Sequence, residues 1–520
     1  MRRARAVQRT HPPTRNGRRP ATIGVMDIGS NTARCVVFET SAAGTVRAIY
    51  ETKDAPRLGS GTAPDGSLSP EARVRGIAAV RRFSRVLRSL GVSKTLAVAT
   101  SAVRDAPNGP EFVRDVARAT GVPLRILSGT EEARYAYLGI ASAWELSNDI
   151  VCDLGGGSLQ IAEVRDGELR NSVSLPLGAL RLSQRFFDHD PPKRREVDAL
   201  REHVSDTLAS VLEAFGGGPY RLFGIGGTVR SLARASIEFR EYPVRRVHGY
   251  SLYEADIEAL QELLSEMPAP RRRSIPGIGG DRADIVLAGI VVFSELLPAV
   301  QVERVIVSGT GIREGIALEC LGAQLPASAE TLAERSTAAA SESFAFNLQH
   351  GEEVAETATT LYRSLSERFE DWGSSELLAL RVAARMHDSG IAVDLWNHSR
   401  HSSYLIQNYP LWGLDQREVL LAAMAAYLHE GNPLTSDWKK GYLPILRPPD
   451  LENAVRLGGI LGVAELLAPV RPKFSLAADG RTLWVSFSNA RDTTPSPRRT
   501  EKVRKIMERV FEMEVRYRDA

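Results

Sequence analysis

Apolar runs and polar breaks recur in a fixed order along the first part of the chain. In "IGVMDIGSNTARCVVFE" (23–39) two apolar runs flank an Asp-x-Gly-Ser-Asn turn and predict two strands, and "GTVRAIYE" predicts a third. "SPEARVRGIAAVRRFSRVLRSLG" has apolar residues at helical spacing. Strand "TLAVAT", helix "GPEFVRDVARATG", strand "PLRILS" and helix "TEEARYAYLGIA" follow, which completes an order βββαβαβα. The order restarts at "DIVCDL", with a glycine turn, strand "SLQIAEV", an Asp166-Gly167 turn and strand "ELRNSVSL". Helices near 178–215, strand "YRLFGIG", helices between 228 and 297, strand "ERVIVSG" and helix "IREGIALE" come next. The repetition predicts two α/β domains of like build, 21–142 and 143–322, facing one another across a cleft.

Beyond them the period changes. "AQLPASAETLAERSTAAASES" (323–343) has the small, polar character of a linker or a first helix, and amphipathic helices run to about 468, which predicts a helical domain over 323–470. "KFSLAADGRTLWVSFS" and a last helix predict a small α+β cap over 471–520.

Composition narrows the partners. The chain has 520 residues, 43% apolar and 25% charged, enough for several cores. No apolar run reaches the roughly 18 residues of a membrane span. The opening "MRRARAVQRTHPPTRNGRRP" holds seven Arg, no acid and no apolar segment of a secretory signal, and is expected to be a disordered basic tail over 1–20. With those seven removed from the 66 basic side chains, 59 face 63 acidic ones, so the body is not a general nucleic-acid binder and holds any polyanion in a local groove. Cys35, Cys152 and Cys320 lack metal or disulfide spacing, which points to a reducing compartment, the cytoplasm.

The two halves carry like chemistry in one slot. Asp27-Ile-Gly29-Ser30-Asn31 and Asp153-Leu-Gly155-Gly156-Gly157-Ser158 each follow the first strand of a half. Backbone N–H groups in such a turn form a concavity for phosphate, and glycine lets the anion approach. Asp27 and Asp153 beside phosphate call for a divalent cation between, and hard oxygen ligands suit Mg²⁺. Ser128 and Glu131 fit a capping box, which leaves Glu132 to face the cleft and take a proton from water in line with a phosphorus. The plainer reading of the pair is two acids favoured by the helix dipole. Thr228, after Gly226 and Gly227, reads as a helix N-cap, a phosphate ligand, or both. Arg313 and Glu314 in "SGTGIREG" read equally as a structural pair.

Eight segments carry a family resemblance: "MDIGSNTARCVVFE", "PRLGSG" (56–61), "ATSAVRDAPNG" (99–109), "LSGTEEARYAYLGI", "DLGGGSLQIAEV", "GIGGTVRSLAR" (224–234), "HGYSL" (248–252) and "VSGTGIREG" (307–315). The chain resembles the exopolyphosphatase and guanosine pentaphosphate phosphohydrolase family, Ppx/GppA. The resemblance implies an α/β fold of two tandem actin-like domains (ribonuclease H-like, of the sugar kinase superfamily), an all-α HD-like C-terminal domain and the cap. It implies Glu132 as the catalytic base. Gly29, Ser30, Asn31, Arg104, Gly155, Gly156, Gly157, Ser158, Gly227 and Thr228 are the expected phosphate ligands, Asp27 and Asp153 the expected Mg²⁺ ligands.

The implied reaction is removal of terminal phosphate from inorganic polyphosphate, with guanosine pentaphosphate as the alternative substrate and a homodimer as the expected assembly. Relatives commonly read Gly-Gly-Gly-Ser-Thr-Glu where this chain has Leu159 and Gln160, so weaker Mg²⁺ binding, an altered chain-length preference, or a sensor that binds without turnover is a competing expectation. A sugar-kinase-like ATP enzyme is disfavoured, since no sugar-side acid is recognisable. His350 and His387-Asp388 resemble the opening of an HD metal-phosphohydrolase site, but its final acidic ligand is not evident downstream, and His398 and His401 bind phosphate or fill a polar network.

Overall fold

Strand β1 (Thr22–Ile28) runs out through a tight turn into β2 (Ala33–Thr40) and β3 (Val46–Asp54), and β4 (Lys94–Ala99) and β5 (Leu124–Ile126) add in parallel on the other side of β1. The sheet order is β3-β2-β1-β4-β5. The second half repeats it. β6 (Asp149–Leu154), β7 (Leu159–Arg165) and β8 (Glu168–Leu175) form the antiparallel side, and β9 (Arg221–Ile225) and β11 (Arg304–Val307) the parallel one. A three-residue edge strand, β10 (Ser251–Tyr253), closes the order β8-β7-β6-β9-β11-β10. The pattern reading missed β10 because three residues are too few to show a period of two. These coordinates come from a computed structural model that describes residues 22–42, 44–61, 65–218, 220–326, 328–468, 474–479, 481–487 and 496–519. The basic tail and parts of the expected cap lie outside the described residues.

The apolar patterns bury as expected from their continuity. β6 is buried along its whole length, as a strand covered on both faces must be. Helix Val286–Ala299, almost uniformly apolar, is the centre of the second half's core together with Leu154, Val229, Leu232 and Val305. The first half has a core of its own around Met26, Val37, Phe83 and Phe112. A further cluster joins Val25, Phe38 and Val98 of the first sheet to Tyr135 and to Ile316 and Ala317, so helix Ile312–Leu321, late in the chain, covers the first sheet beside helix Gly129–Ala141. That packing fixes the helix that carries Glu132.

Residues 1–326 form one compact unit and 327–520 another. In the second unit the stretch read as linker or first helix is helix Ala329–Phe344, and six further α-helices lead to Pro448–Leu467. Strands β12 (Phe474–Asp479), β13 (Thr482–Phe487) and β14 (Glu514–Asp519) form a small sheet with helix Pro497–Phe511 before its last strand. Among the described residues no helix is long and apolar enough to cross a membrane.

Candidate active site

The two turns have the same closure. The Gly29 amide donates to the Thr32 carbonyl at 3.0 Å, and the Gly155 amide to the Ser158 carbonyl at 3.0 Å. They also touch each other across the cleft of the first unit. A Cβ at Gly156 would lie 3.1 Å from Asn31 Cβ, and one at Gly157 would lie 2.4 Å from Ser101 Oγ and 2.5 Å from Ser30 Oγ. The glycines are therefore required by the close fit of the Ser30 and Ser101 hydroxyls, which are hydrogen-bonded to one another at 2.9 Å. Asn31 adds a tie between the halves by donating from Nδ2 to the Asp281 carbonyl at 2.9 Å. One cavity is lined by Asp27, Gly29, Ser30 and Asn31 of the first turn and by Asp153, Gly155, Gly156 and Ser158 of the second.

Glu132 lines the same cavity from the helix start. The capping box is formed: Ser128 Oγ accepts from the Glu131 amide at 3.1 Å, and the Glu131 carboxylate accepts from the Ser128 amide at 2.8 Å. That hydrogen bond holds the Glu131 carboxyl below its ordinary value. Glu132, by contrast, is 1% exposed. Its Oε2 accepts from Gln160 Nε2 at 2.5 Å and pairs with an Arg104 guanidinium nitrogen at 3.1 Å, whereas its Oε1, also buried, accepts no hydrogen bond. Burial pushes the carboxyl up to about 8; Arg104 opposes the shift, and the Asp153 and Asp27 charges add to it.

The paired aspartates are under the same strain. Burial raises Asp153 to about 6, with the Asp27 charge as the next cause, and burial raises Asp27 against the pull of Arg313 and Arg34. Four arginines line the cavity around these three carboxyls: Arg34, Arg230, Arg282 and Arg313. Burial lowers Arg230 and Arg282 to about 10. Arg230 is anchored by donating to the carbonyls of Ser308 and Gly309, each at 3.1 Å. Arg313 does not pair with Glu314 as read from the local pattern. It donates to Glu51 at 3.1 Å, while Glu314 accepts from the Gly311 amide at 2.8 Å and caps its own helix.

Of the residues singled out in the sequence, three lie off the cavity wall. Arg104 stands behind Glu132 and contacts it directly. Gly157 backs onto the serine pair. Thr228 is buried with its hydroxyl toward the helix position of Gly289, where a Cβ would lie 3.2 Å from Thr228 Oγ1. Gly227 is on the wall, and its missing side chain makes room for Arg282: a Cβ there would fall 1.8 Å from a guanidinium nitrogen. The pattern reading missed Arg34, Arg230 and Arg282 as cavity residues. Arg34 had a signal, since the hairpin register places it directly opposite Asp27, and Arg230 follows Thr228 by two; nothing near Arg282 marks it.

The doubled strand order, with an Asp-x-Gly turn after the first strand of each half, is the actin-like arrangement. The profile of the Ppx/GppA phosphatase family matches residues 36–324, and that of its domain III matches residues 332–471. The chain belongs to the Ppx/GppA phosphatase family. It is 33% identical over 308 residues to exopolyphosphatase 1 of Mycobacterium tuberculosis, covering 58% of this chain and 89% of that protein, and 32% identical to the Mycobacterium leprae exopolyphosphatase 1. Among solved structures, an exopolyphosphatase from Cytophaga hutchinsonii superposes with a TM-score of 0.54 at 25% identity, covering 58% of this chain and 99% of that one. A Ppx/GppA member from Aquifex aeolicus gives 0.50 at 28% identity, with 58% and 98% covered.

Proposed function

We propose that this phosphatase is an exopolyphosphatase that releases terminal orthophosphate from inorganic polyphosphate, with Glu132 as general base. The observation that carries the reading is the asymmetry of that carboxylate: one oxygen is held by Gln160 and Arg104, and the other is buried, unbonded and in a cavity shared with both turns. The terminal phosphoryl group would lie between the turns, against their amides and the Ser30 and Ser158 side, with Arg230, Arg282 and Arg34 spreading its charge. Glu132 Oε1 accepts the proton of an attacking water as the new P–O bond forms and the bridging P–O bond breaks. The shortened chain leaves as a phosphate anion that needs no protonation at neutral pH.

The residues present fit a divalent cation. Asp27 and Asp153 are buried carboxyls that raise one another, a donor pair of hard oxygens suited to Mg²⁺. When bound, Mg²⁺ would supply charge neutralisation on the phosphate oxygens. Gln160 also bears on the sensor reading. Its amide has a defined task, donating to Glu132, to Ser158 Oγ at 2.8 Å and to Ser174 Oγ at 3.0 Å, and Leu159 is buried in the core. The substitution thus keeps the base in place.

Phosphate release from long-chain polyphosphate and from guanosine pentaphosphate, with and without Mg²⁺, tests the proposal. Release from polyphosphate that falls at least a hundredfold in Glu132→Gln, with substrate binding kept, is the expected result. Binding of polyphosphate without release, or faster release from guanosine pentaphosphate, would overturn it.

A further inference from the structure

A second cluster of chemistry lies wholly inside the helical unit, unrelated to the cleft. His350 comes from helix Leu348–Leu365, His387 and Asp388 follow helix Ser374–Met386, His398 opens helix His398–Asn408, His429 caps helix Gln416–Leu428 and Glu465 lies in helix Pro448–Leu467. One ligand atom from each of His350, His387 and Asp388 falls within 4.8 Å of the others. Asp388 presents its two oxygens to different histidines: Oδ2 is 3.8 Å from His350 Nε2, and Oδ1 is 3.6 Å from His387 Nε2 and 3.4 Å from His398 Nε2. Alongside, His429 Nε2 is 3.4 Å from Glu465 Oε2.

Two features separate this cluster from a hydrogen-bonded polar network. The first is the orientation of the rings. Nδ1 of His387 is 2.7 Å from the Ala384 carbonyl, Nδ1 of His429 is 2.7 Å from the Ala426 carbonyl, and Nδ1 of His398 is 3.3 Å from the Leu395 carbonyl. In each ring Nδ1 must carry the proton to donate to a carbonyl, so each Nε2 turns a bare lone pair inward, the backbone-set tautomer common in metal-ligating histidines. All three Nε2 atoms are buried without a hydrogen bond, and the His387 side chain is wholly buried. A lone pair facing a carboxylate has nothing to bind but a cation. Burial lowers His387 and His429, which favours these neutral rings.

The second feature is spacing. The nitrogen to oxygen distances of 3.4–3.8 Å are too long for hydrogen bonds. Two donors each about 2.1 Å from one ion stand roughly 3.0–3.6 Å apart for bond angles of about 90–120°. The gaps are those of ligands around an ion.

We propose that His350, His387 and Asp388 form a binding site for a divalent first-row transition-metal ion such as Mn²⁺, Fe²⁺, Co²⁺ or Zn²⁺, with His398, His429 and Glu465 completing the surrounding donor set. Imidazole nitrogen is the wrong donor for Mg²⁺ and the right one for these ions, so the chain has two sites of opposite preference. His350 and Asp388 are each about a quarter exposed, which leaves the ion an entry path and an open position toward solvent. The terminal acid that the sequence pattern lacked is Glu465, a glutamate one helix after His429.

The test is a Co²⁺ titration of the chelator-stripped full chain in excess Mg²⁺, read by visible absorption and by pulsed electron paramagnetic resonance for imidazole nitrogen, with Zn²⁺ as competitor. The expected result is at least one equivalent of Co²⁺ with histidine nitrogen coupling, displaced by Zn²⁺. Asp388→Asn and Glu465→Gln, judged folded by circular dichroism, should each weaken binding at least tenfold, the usual scale for losing a member of such a set. Should Asp388→Asn alter the dichroism, His350→Ala at the solvent-facing rim is read in its place. A wild-type chain that binds no Co²⁺ through nitrogen, or folded variants that bind as tightly as wild type, would overturn the proposal.

Discussion

Aligned on Asp27 and Asp153, the two turns read Asp-Ile-Gly-Ser-Asn-Thr-Ala-Arg and Asp-Leu-Gly-Gly-Gly-Ser-Leu-Gln. Their backbones close with the same hydrogen bond, but their side chains are complementary: Ser30 and Asn31 of the first fill the space left by Gly156 and Gly157 of the second. The last position differs in the same spirit. Arg34, opposite Asp27, supports that carboxylate with charge, whereas Gln160, opposite Asp153, gives a neutral donor to Glu132. The halves thus share a scaffold and divide the work. The first supplies the base, and the second supplies three of the four cavity arginines and the amide that holds the base. A duplicated fold makes a site here because its copies have become unlike at the positions that meet.

That division can be broken from either side. Losing the base from the first half, as in Glu132→Gln, is expected to have the largest effect. Losing a cation from the second, Arg230→Ala, should lower kcat/KM about a hundredfold, the scale for one missing donor to a developing anion, and polyphosphate titration should show weaker binding as well. Gly157→Ala attacks the interlock. Its Cβ would press on Ser30 and Ser101, so thermal unfolding should show a loss of about 1–3 kcal/mol, and adding Ser30→Ala and Ser101→Ala should recover part of it. Full additivity of those changes would mean that the turns do not meet.

The smallest effects are on pH dependence. A general base works deprotonated, and burial raises Glu132 to about 8, so kcat/KM should climb with pH on a limb well above the ordinary carboxylate range. Raising Mg²⁺ should move that limb down, because neutralising Asp27 and Asp153 removes two causes of the shift. Gln160→Glu, which puts a second carboxyl beside Glu132, should move it up, by about one unit, in pH–rate profiles at fixed Mg²⁺. A limb at pH 4–5 in the wild type would remove Glu132 from the role of base.

Elements set by near neighbours were readable in advance. The two strand-turn-strand slots follow from apolar runs and turn residues, and the Ser128–Glu131 capping box is a four-residue pattern that left Glu132 as the residue without a local task. Where local pattern and tertiary packing competed, packing won. Arg313 and Glu314 are adjacent and opposite in charge, yet the guanidinium goes to Glu51, since Glu314 is held by its own helix start. Thr228 sits at a helix start yet turns its hydroxyl toward Gly289.

By itself, then, the chain's order of residues determined the doubled strand pattern, the paired aspartate turns and the candidate base, because each depends on periodicity or on hydrogen bonds within a few residues. Only the tertiary structure decided that Gln160 clamps Glu132 from 28 residues away, that Arg282 occupies the gap at Gly227, and that Glu465 joins His429 beside Asp388. It also decided how far the buried acids shift. Contact between distant segments and the loss of water around a charge exist only once the chain has closed around them, and no local pattern encodes either.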